Sequence, residues 1–258
     1  MPLDSETAKA TSYAEKLLKA AIDLLGAAAG IELNKNWARD PKIVALTLLC
    51  RSASNFRAAV LLVRQGHVME ARSLVRCLYE NLLWMGALRE RGLSFIENMV
   101  QDEAFNRKVL GELALKLSSQ HGTSVDDAES LTLRAMLKQL AEQFPTTKKL
   151  HANKTASESA VETAYIEYAR LSLDATHCSV TALGRHLSSE VIDGQAGLTV
   201  SIEARTNSAE RLSTVLHACR ALTGTAIGAN ELLGFTGISA ELAKLVREFE
   251  QNGWVHIN

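Results

Sequence analysis

The sequence has few aromatic residues, few prolines and no long apolar run. Aromatic residues make up 5% of the 258 residues, and the only prolines are Pro2, Pro41 and Pro145. No uninterrupted apolar run approaches the roughly 20 residues that span a bilayer. The first 20 residues mix acidic and basic side chains, unlike the apolar core of a secretory signal. We therefore expect a cytoplasmic protein with no membrane partner.

The cysteines and the net charge exclude further classes of protein. The four cysteines, Cys50, Cys77, Cys178 and Cys219, lie far apart and form no CxxC pair. This spacing indicates reduced thiols rather than a disulfide framework or a zinc site, so we expect no metal and no cofactor. The formal net charge is −1, which provides no bulk positive field for nucleic acid. A polyanion would have to bind to a local basic cluster.

Apolar residues recur at three- and four-residue spacing over most of the chain, which is typical of amphipathic helices. We predict an all-α fold, a single-domain multi-helix bundle of seven to nine helices over residues 1–258. Its centre is an antiparallel helical hairpin, residues 41–65 and 67–90, joined at Gly66. We also predict a polar loop followed by a helix over 157–188, and a helix over 208–233 whose small residues indicate close packing against a neighbour. At most one short β segment is predicted, near 198–204.

The first polar feature is a ladder of charges in the second helix of the hairpin. Arg72, Arg76 and Glu80 follow at four-residue spacing within an apolar run, so they share one helix face. Charged groups in such surroundings are costly unless they are paired or used. One interpretation is structural, an Arg76–Glu80 pair that fixes the packing of the hairpin with little net gain in stability.

The second polar feature lies on the helix predicted over 157–188. Arg170, Asp174 and His177 fall on one side of an ideal helix and could converge on one ligand. A guanidinium matches a phosphate, and an imidazole takes and gives a proton near neutral pH. The pair therefore suits phosphodiester cleavage without a metal. The alternative is a surface Arg170–Asp174 pair beside a solvated His177.

The two features have a joint functional interpretation. In it, Glu80 orients His177 or Arg170 across the helix interface. Arg72 with Arg51, Arg57 or Arg64 adds a phosphate-binding patch. A third possibility is a small-ligand pocket between the two helices, with Arg72 or Arg76 binding an anion.

Two sequence stretches carry a resemblance to known families. YIEYARLSLDATHCSV, with Tyr168, Arg170, Ser172 and His177, resembles the Arg-x(4–6)-His motif and the surrounding pattern of the HEPN superfamily. LLVRQGHVMEARSLVRCLYENLLW is similar to the hairpin of a bacterial domain-of-unknown-function family, number 5677. The resemblance covers roughly residues 41–190, which leaves 191–258 as a C-terminal helical extension.

The resemblance implies a function as well as a fold. HEPN proteins are all-helical and commonly dimeric, and many are metal-independent ribonucleases of toxin–antitoxin or phage-defence systems. By resemblance, His177 and Arg170 are the catalytic pair. From the joint interpretation above, we expect Glu80, with Arg76, to support them in the catalytic site. The expected partners are RNA, an antitoxin or other protein, and a second copy of the chain. The expected binding residues are Arg72, Arg76, Tyr168, Ser172, Asp174 and Arg51.

The alternative function is that of a non-catalytic helical protein, a partner-binding or sensor domain in which the ladder is architectural. The near-neutral net charge and the shortage of aromatic side chains for base stacking favour it. Leu171 also favours it, because active HEPN members often carry Asn, Asp or His at the position after the motif arginine.

Overall fold

The computed structural model describes residues 3–30, 32, 39–120, 128–192 and 195–255. Within them the chain forms ten α-helices, one π-helical turn and one two-stranded sheet, which confirms the all-α fold class. The strands are Leu187–Ile192 (β1) and Gln195–Val200 (β2). The helices are Ser5–Ala27 (α1), Pro41–Gln65 (α2), Val68–Arg91 (α3), Leu93–Gln120 (α4), Ala128–Gln143 (α5), Ala152–Ser157 (α6), Ala164–Leu171 (α7), Val180–Gly184 (α8), Ser208–Leu232 (α9) and Ser239–Gln251 (α10).

The predicted hairpin of α2 and α3 is confirmed, and local signals set its ends. Pro41 occupies the first turn of α2, where the Asp40 carboxylate accepts a hydrogen bond from the Lys42 backbone N–H at 2.8 Å. Gly66 ends α2 with φ of 89°, a left-handed conformation that favours glycine. Because the connection is so short, α3 returns along α2 and the two helices pack over their length.

Helix α9 packs against α1, α2 and α3 and belongs to the same hydrophobic cluster as the hairpin. Its small residues permit a close approach to α3. A Cβ atom on Gly224 would lie 2.7 Å from Leu82, and one on Gly228 would lie 2.6 Å from Met85. The predicted helix over 208–233 and its close packing are therefore confirmed.

Helix α2 is the one helix, among the described residues, that is long and apolar enough to cross a membrane by length and composition. In this fold it packs against α1, α3 and α9. Buried positions such as Leu49, Phe56 and Val63 lie within the hydrophobic cluster. A core helix has the same composition as a membrane span, because both exclude water from their side chains. The structure is thus compatible with a soluble protein.

The prediction of one continuous helix over 157–188 is wrong. The chain forms α7, a π-helical turn over Ser172–Thr176, the short helix α8 and then strand β1. His177 is extended, with φ of −98° and ψ of 146°. Ser172 contacts Arg76 of α3, and Asp174 contacts Arg72 of α3. These tertiary contacts override the continuous helix that the local periodicity predicts.

The β signal predicted near 198–204 lies at the end of a hairpin. Strand β2 pairs antiparallel with β1, and Leu187 lies opposite Val200. Residues 187 and 188, assigned to helix from the sequence, are thus strand. The helix count exceeds the predicted seven to nine because the predicted helix over 157–188 is divided and α6 forms in a segment expected to be a loop.

Candidate functional site

The polar ladder of α3 (Arg72, Arg76 and Glu80) faces α7 and the π-helical turn. Arg76 donates hydrogen bonds from Nε to Ser172 Oγ at 3.0 Å and from Nη2 to the Tyr168 hydroxyl at 2.7 Å. Its Nη1 lies 3.4 Å from Glu80 Oε2, and its guanidinium carbon lies 4.7 Å from the Tyr168 ring centroid. Every edge of this guanidinium is therefore engaged. Arg76 fastens α7 to α3.

One turn earlier, Arg72 is part of a chain of alternating charges. Its Nη2 lies 2.7 Å from Asp174 Oδ2, and both side chains are largely buried. Arg185 donates from Nε to Asp174 Oδ1 at 2.9 Å and from Nη1 to Glu210 Oε1 at 2.7 Å. Ser73 adds a hydrogen bond from its hydroxyl to the Ala175 carbonyl at 2.9 Å. Together these contacts hold the π-helical turn against α3.

The structure thus brings together the six residues Arg72, Arg76, Glu80, Tyr168, Ser172 and Asp174. Burial raises the pKa of the Tyr168 hydroxyl, although the Arg76 charge opposes that shift, so the phenol is protonated when it accepts from Arg76. Arg51 is exposed on α2 and has no contact with this group within the described residues. Arg76 contacts α7 and the π-helical turn, and Arg72 pairs with Asp174 of that turn. These charged side chains are therefore largely shielded from solvent.

Arg170 and His177 lie apart from that network. Arg170 lies in the last turn of α7, its side chain is 60% exposed, and its Nη1 lies 3.4 Å from Glu167 Oε1. The exposed His177 imidazole makes no hydrogen bond within the described residues, whereas its backbone N–H donates to the Ser172 carbonyl at 3.1 Å. The π-helical turn between the two residues removes the shared helix face expected from the sequence. Glu80 contacts Arg76 rather than His177 or Arg170.

A buried cluster around His217 escaped the sequence analysis. The Tyr79 hydroxyl lies 3.0 Å from His217 Nδ1, and Glu167 Oε2 lies 3.7 Å from Nε2. Burial lowers the pKa of His217 to about 4, and three nearby guanidinium groups act in the same direction. The imidazole is therefore neutral at pH 7 and does not form an ion pair with Glu167. Since Tyr79 and His217 are 138 residues apart, no local spacing could have indicated the contact.

Beside the ladder, a cavity of about 190 Å³ opens between α3 and the segment that follows α7. Its polar lining includes Glu70, Ser73, Asp174 and His186, whereas Arg72 and Arg76 do not line it. Among the described residues, no three His, Cys, Asp or Glu side chains come together as they would to hold a metal ion.

The fold and the site define an all-α protein in which the polar ladder of the central hairpin binds a π-helical turn. The model of a family of unknown function, DUF5677, matches residues 42–195. The chain belongs to this family, which confirms the resemblance seen in the hairpin. The match includes the ladder, the π-helical turn and His177. No curated protein and no solved structure matches the chain at a significant level.

Proposed function

We propose that this chain is a metal-independent endoribonuclease of the HEPN type, with His177 and Arg170 as its catalytic residues. The observation that supports this proposal is the π-helical turn, which follows α7 and leaves the His177 imidazole exposed in an extended segment. Among the described residues this imidazole has no hydrogen-bond partner. Arg170 is exposed seven residues earlier. π-Helical turns frequently occur at functional sites. An exposed pair suits a large substrate such as RNA, which cannot enter a closed pocket.

The residue types suit transesterification of RNA. In the proposed reaction, His177 takes the proton from a ribose 2′-hydroxyl while that oxygen forms a bond to the adjacent phosphorus. The bond from phosphorus to the 5′-oxygen breaks, and the leaving oxygen takes the proton back from the imidazolium. The products are a 2′,3′-cyclic phosphate and a free 5′-hydroxyl. Arg170 stabilises the extra negative charge of the phosphorane.

The ladder acts as a positioning device in this proposal. Arg76 and Arg72 hold Ser172, Tyr168 and Asp174, and these contacts fix where α7 ends and where His177 begins its extended segment. Glu80 acts through Arg76, which it contacts one helical turn away. None of these residues needs to touch the RNA.

The biological setting that fits such an enzyme is a cytoplasmic toxin or phage-defence effector, restrained by an antitoxin or another protein and assembled as a homodimer. Support for a protein partner comes from exposed apolar side chains on α8 and β2. Val180 on α8 is 89% exposed, and Leu198 and Val200 on β2 are 67% and 73% exposed. Leu198 and Val200 are two residues apart and share one face of the strand, and a cluster of exposed apolar side chains is typical of interaction surfaces.

The ribonuclease proposal is tested by incubating the full chain with single-stranded and structured RNA in the presence of a chelator. We expect cleavage that leaves cyclic phosphate ends. It should fall at least ~100-fold in His177→Ala, because general acid–base catalysis contributes a factor of that order. His67→Ala and Arg134→Ala serve as controls, since both residues are exposed and lie outside the segment from Arg170 to His177. No cleavage by the wild-type chain, or equal cleavage by His177→Ala, would refute the proposal.

The second candidate is a non-catalytic partner-binding or sensor protein, which the same apolar surface favours. In that case the surface, not His177, carries the function. A chain that cleaves no RNA but self-associates or captures a protein, and that loses this association in a Leu198→Ser/Val200→Ser variant, would support it. Light scattering after gel filtration measures the self-association. An unchanged mass in that variant would count against this candidate.

A further inference from the structure

We propose that a cavity at the C-terminal end of α3 binds a phosphate group, a site separate from the proposed catalytic residues. The cavity has a volume of about 240 Å³ and lies between the end of α3, the segment before α6 and α6 itself. Its charged lining consists of Arg91, Lys148, Lys149, Lys154 and Glu158. Phosphate is the ligand class that this mixture of one guanidinium and three ammonium groups favours.

The cavity concentrates positive charge in a chain that is almost neutral. Four of its lining residues are cationic and one is a carboxylate, an excess of three positive charges, whereas the whole chain carries −1. Lys148 and Lys149 have no acidic partner within the described residues, and Lys154 Nζ lies 3.9 Å from Glu158 Oε1. A concave surface with an excess of positive charge focuses the field and raises the local concentration of anions.

Arg91 supplies donors that the protein itself leaves unused. Its Nη1 donates to Glu158 Oε2 at 2.6 Å, and its guanidinium carbon lies 4.8 Å from the Phe95 ring centroid. Its Nε and Nη2 are buried and have no hydrogen-bond acceptor within the described residues. Buried donors without an acceptor are energetically costly. A phosphate oxygen in the cavity is the acceptor that would satisfy them after a small shift of the side chain.

The cationic segment is anchored to the helices around it. The Leu150 backbone N–H donates to the Asp102 carboxylate of α4 at 2.7 Å, directly after the two lysines. The Ala160 backbone N–H donates to the Glu90 carboxylate of α3 at 2.6 Å, beyond the end of α6. The backbone that carries the lysines is therefore held near Arg91 before a ligand arrives, which lowers the ordering cost of binding.

The cavity is distinct from the proposed catalytic residues. The π-helical turn contacts α3 at Ser73, and Arg91 lies 18 residues further along the same helix. At 1.5 Å per residue this separation is about 27 Å. A small phosphate compound and a phosphate of an RNA backbone present the same oxygens to the cavity, so experiment must separate these two sources.

The test measures binding of inorganic phosphate to the full chain by calorimetry, at constant ionic strength maintained with chloride. A Lys148→Gln/Lys149→Gln variant removes two cavity charges, and Lys108→Gln/Lys116→Gln removes two exposed charges of α4 outside the cavity. We expect the phosphate Kd to rise about tenfold in the first variant and to change less than about twofold in the second. Arg91→Lys, which keeps the charge and loses the unused donors, should also weaken binding.

A labelled 2′-deoxy oligonucleotide, which the proposed reaction cannot cleave, separates the sources. Binding that depends on Lys148 and Lys149 and competes with phosphate assigns the cavity to a nucleic-acid backbone. Phosphate binding without competition assigns it to a small phosphate compound. Equal phosphate Kd values in the wild type and both double variants would overturn the proposal, as would no phosphate binding by the wild type. Neither result depends on RNA cleavage.

Discussion

Acidification of the protein tests the environment of His217. Its side chain is buried, with 6% of the residue exposed, and burial lowers its pKa from 6.5 to about 4. Between pH 6.5 and pH 4 the unfolded chain therefore binds a proton at this residue and the folded chain does not. The free energy of unfolding must fall as the pH drops through this window, and the stability is fully present above pH 6.5.

The size of the effect follows from the pKa difference. A change from 6.5 to about 4 corresponds to about 3 kcal/mol, since each pKa unit is worth about 1.4 kcal/mol. For a chain of this length, about 3 kcal/mol corresponds to a fall of the order of 10 °C in the melting temperature. Carboxylates that titrate in the same range add their own pH dependence, so the contribution of His217 must be isolated by difference.

The assay is urea unfolding of the wild-type chain and of His217→Gln at several pH values from 7 to 4. Glutamine keeps an oxygen that can accept from the Tyr79 hydroxyl but does not titrate. The unfolding free energy of the wild-type chain, relative to that of His217→Gln, should fall by about 3 kcal/mol as the pH falls from 7 to 4. His177→Gln makes the same replacement at an exposed position and serves as the control for the substitution itself. A constant difference for His217→Gln would refute the reasoning.

Two further predictions concern the packing around α3. Asp174→Asn removes the charge that separates Arg72 from Arg185 and should lower the free energy of unfolding by about 3 kcal/mol, as measured by urea unfolding. Gly228→Ala places a Cβ atom 2.6 Å from Met85 Cγ, so it should lower the melting temperature despite the better helix propensity of alanine. We expect a net loss of about 1–2 kcal/mol for this second variant.

Each of these variants has a matched control. Asp23→Asn removes a carboxylate that pairs with Lys19 on the surface of α1, and it should change stability by less than about 0.5 kcal/mol. Gly26→Ala adds a Cβ atom where, apart from the adjoining backbone of α1, no atom of the described residues lies within 4 Å, so it should be neutral or stabilising. If Asp174→Asn proves as mild as Asp23→Asn, the buried charge chain contributes nothing to stability. A stabilised Gly228→Ala would show that Met85 moves aside freely.

The parts of the fold that the sequence predicted depend on local signals. Pro41 and Gly66 mark the beginning and end of α2 because each restricts or permits particular backbone angles in its own peptide unit. The small residues of α9 predicted a close neighbour, although not which helix it would be. The ladder of α3 was visible because residues four apart share a helix face whatever the helix packs against.

The candidate site was only partly accessible from the sequence. Tyr168, Ser172 and Asp174 were named as site residues, but their contacts with Arg76 and Arg72 join positions more than 90 residues apart. Those contacts favour a π-helical turn where the apolar spacing alone predicted continuous helix. Local periodicity cannot report a competing tertiary interaction, and this is why the prediction for residues 157–188 failed.

The sequence by itself determined the all-α class, the central hairpin and the polar ladder, because each follows from backbone preferences and from side-chain spacing within one segment. The tertiary structure decided what the ladder holds, where α7 ends, and that His177 is exposed while His217 is buried. It also placed four cations around one cavity. These properties depend on which distant segments meet and on how much water remains around each charge, and no single stretch of the sequence contains that information.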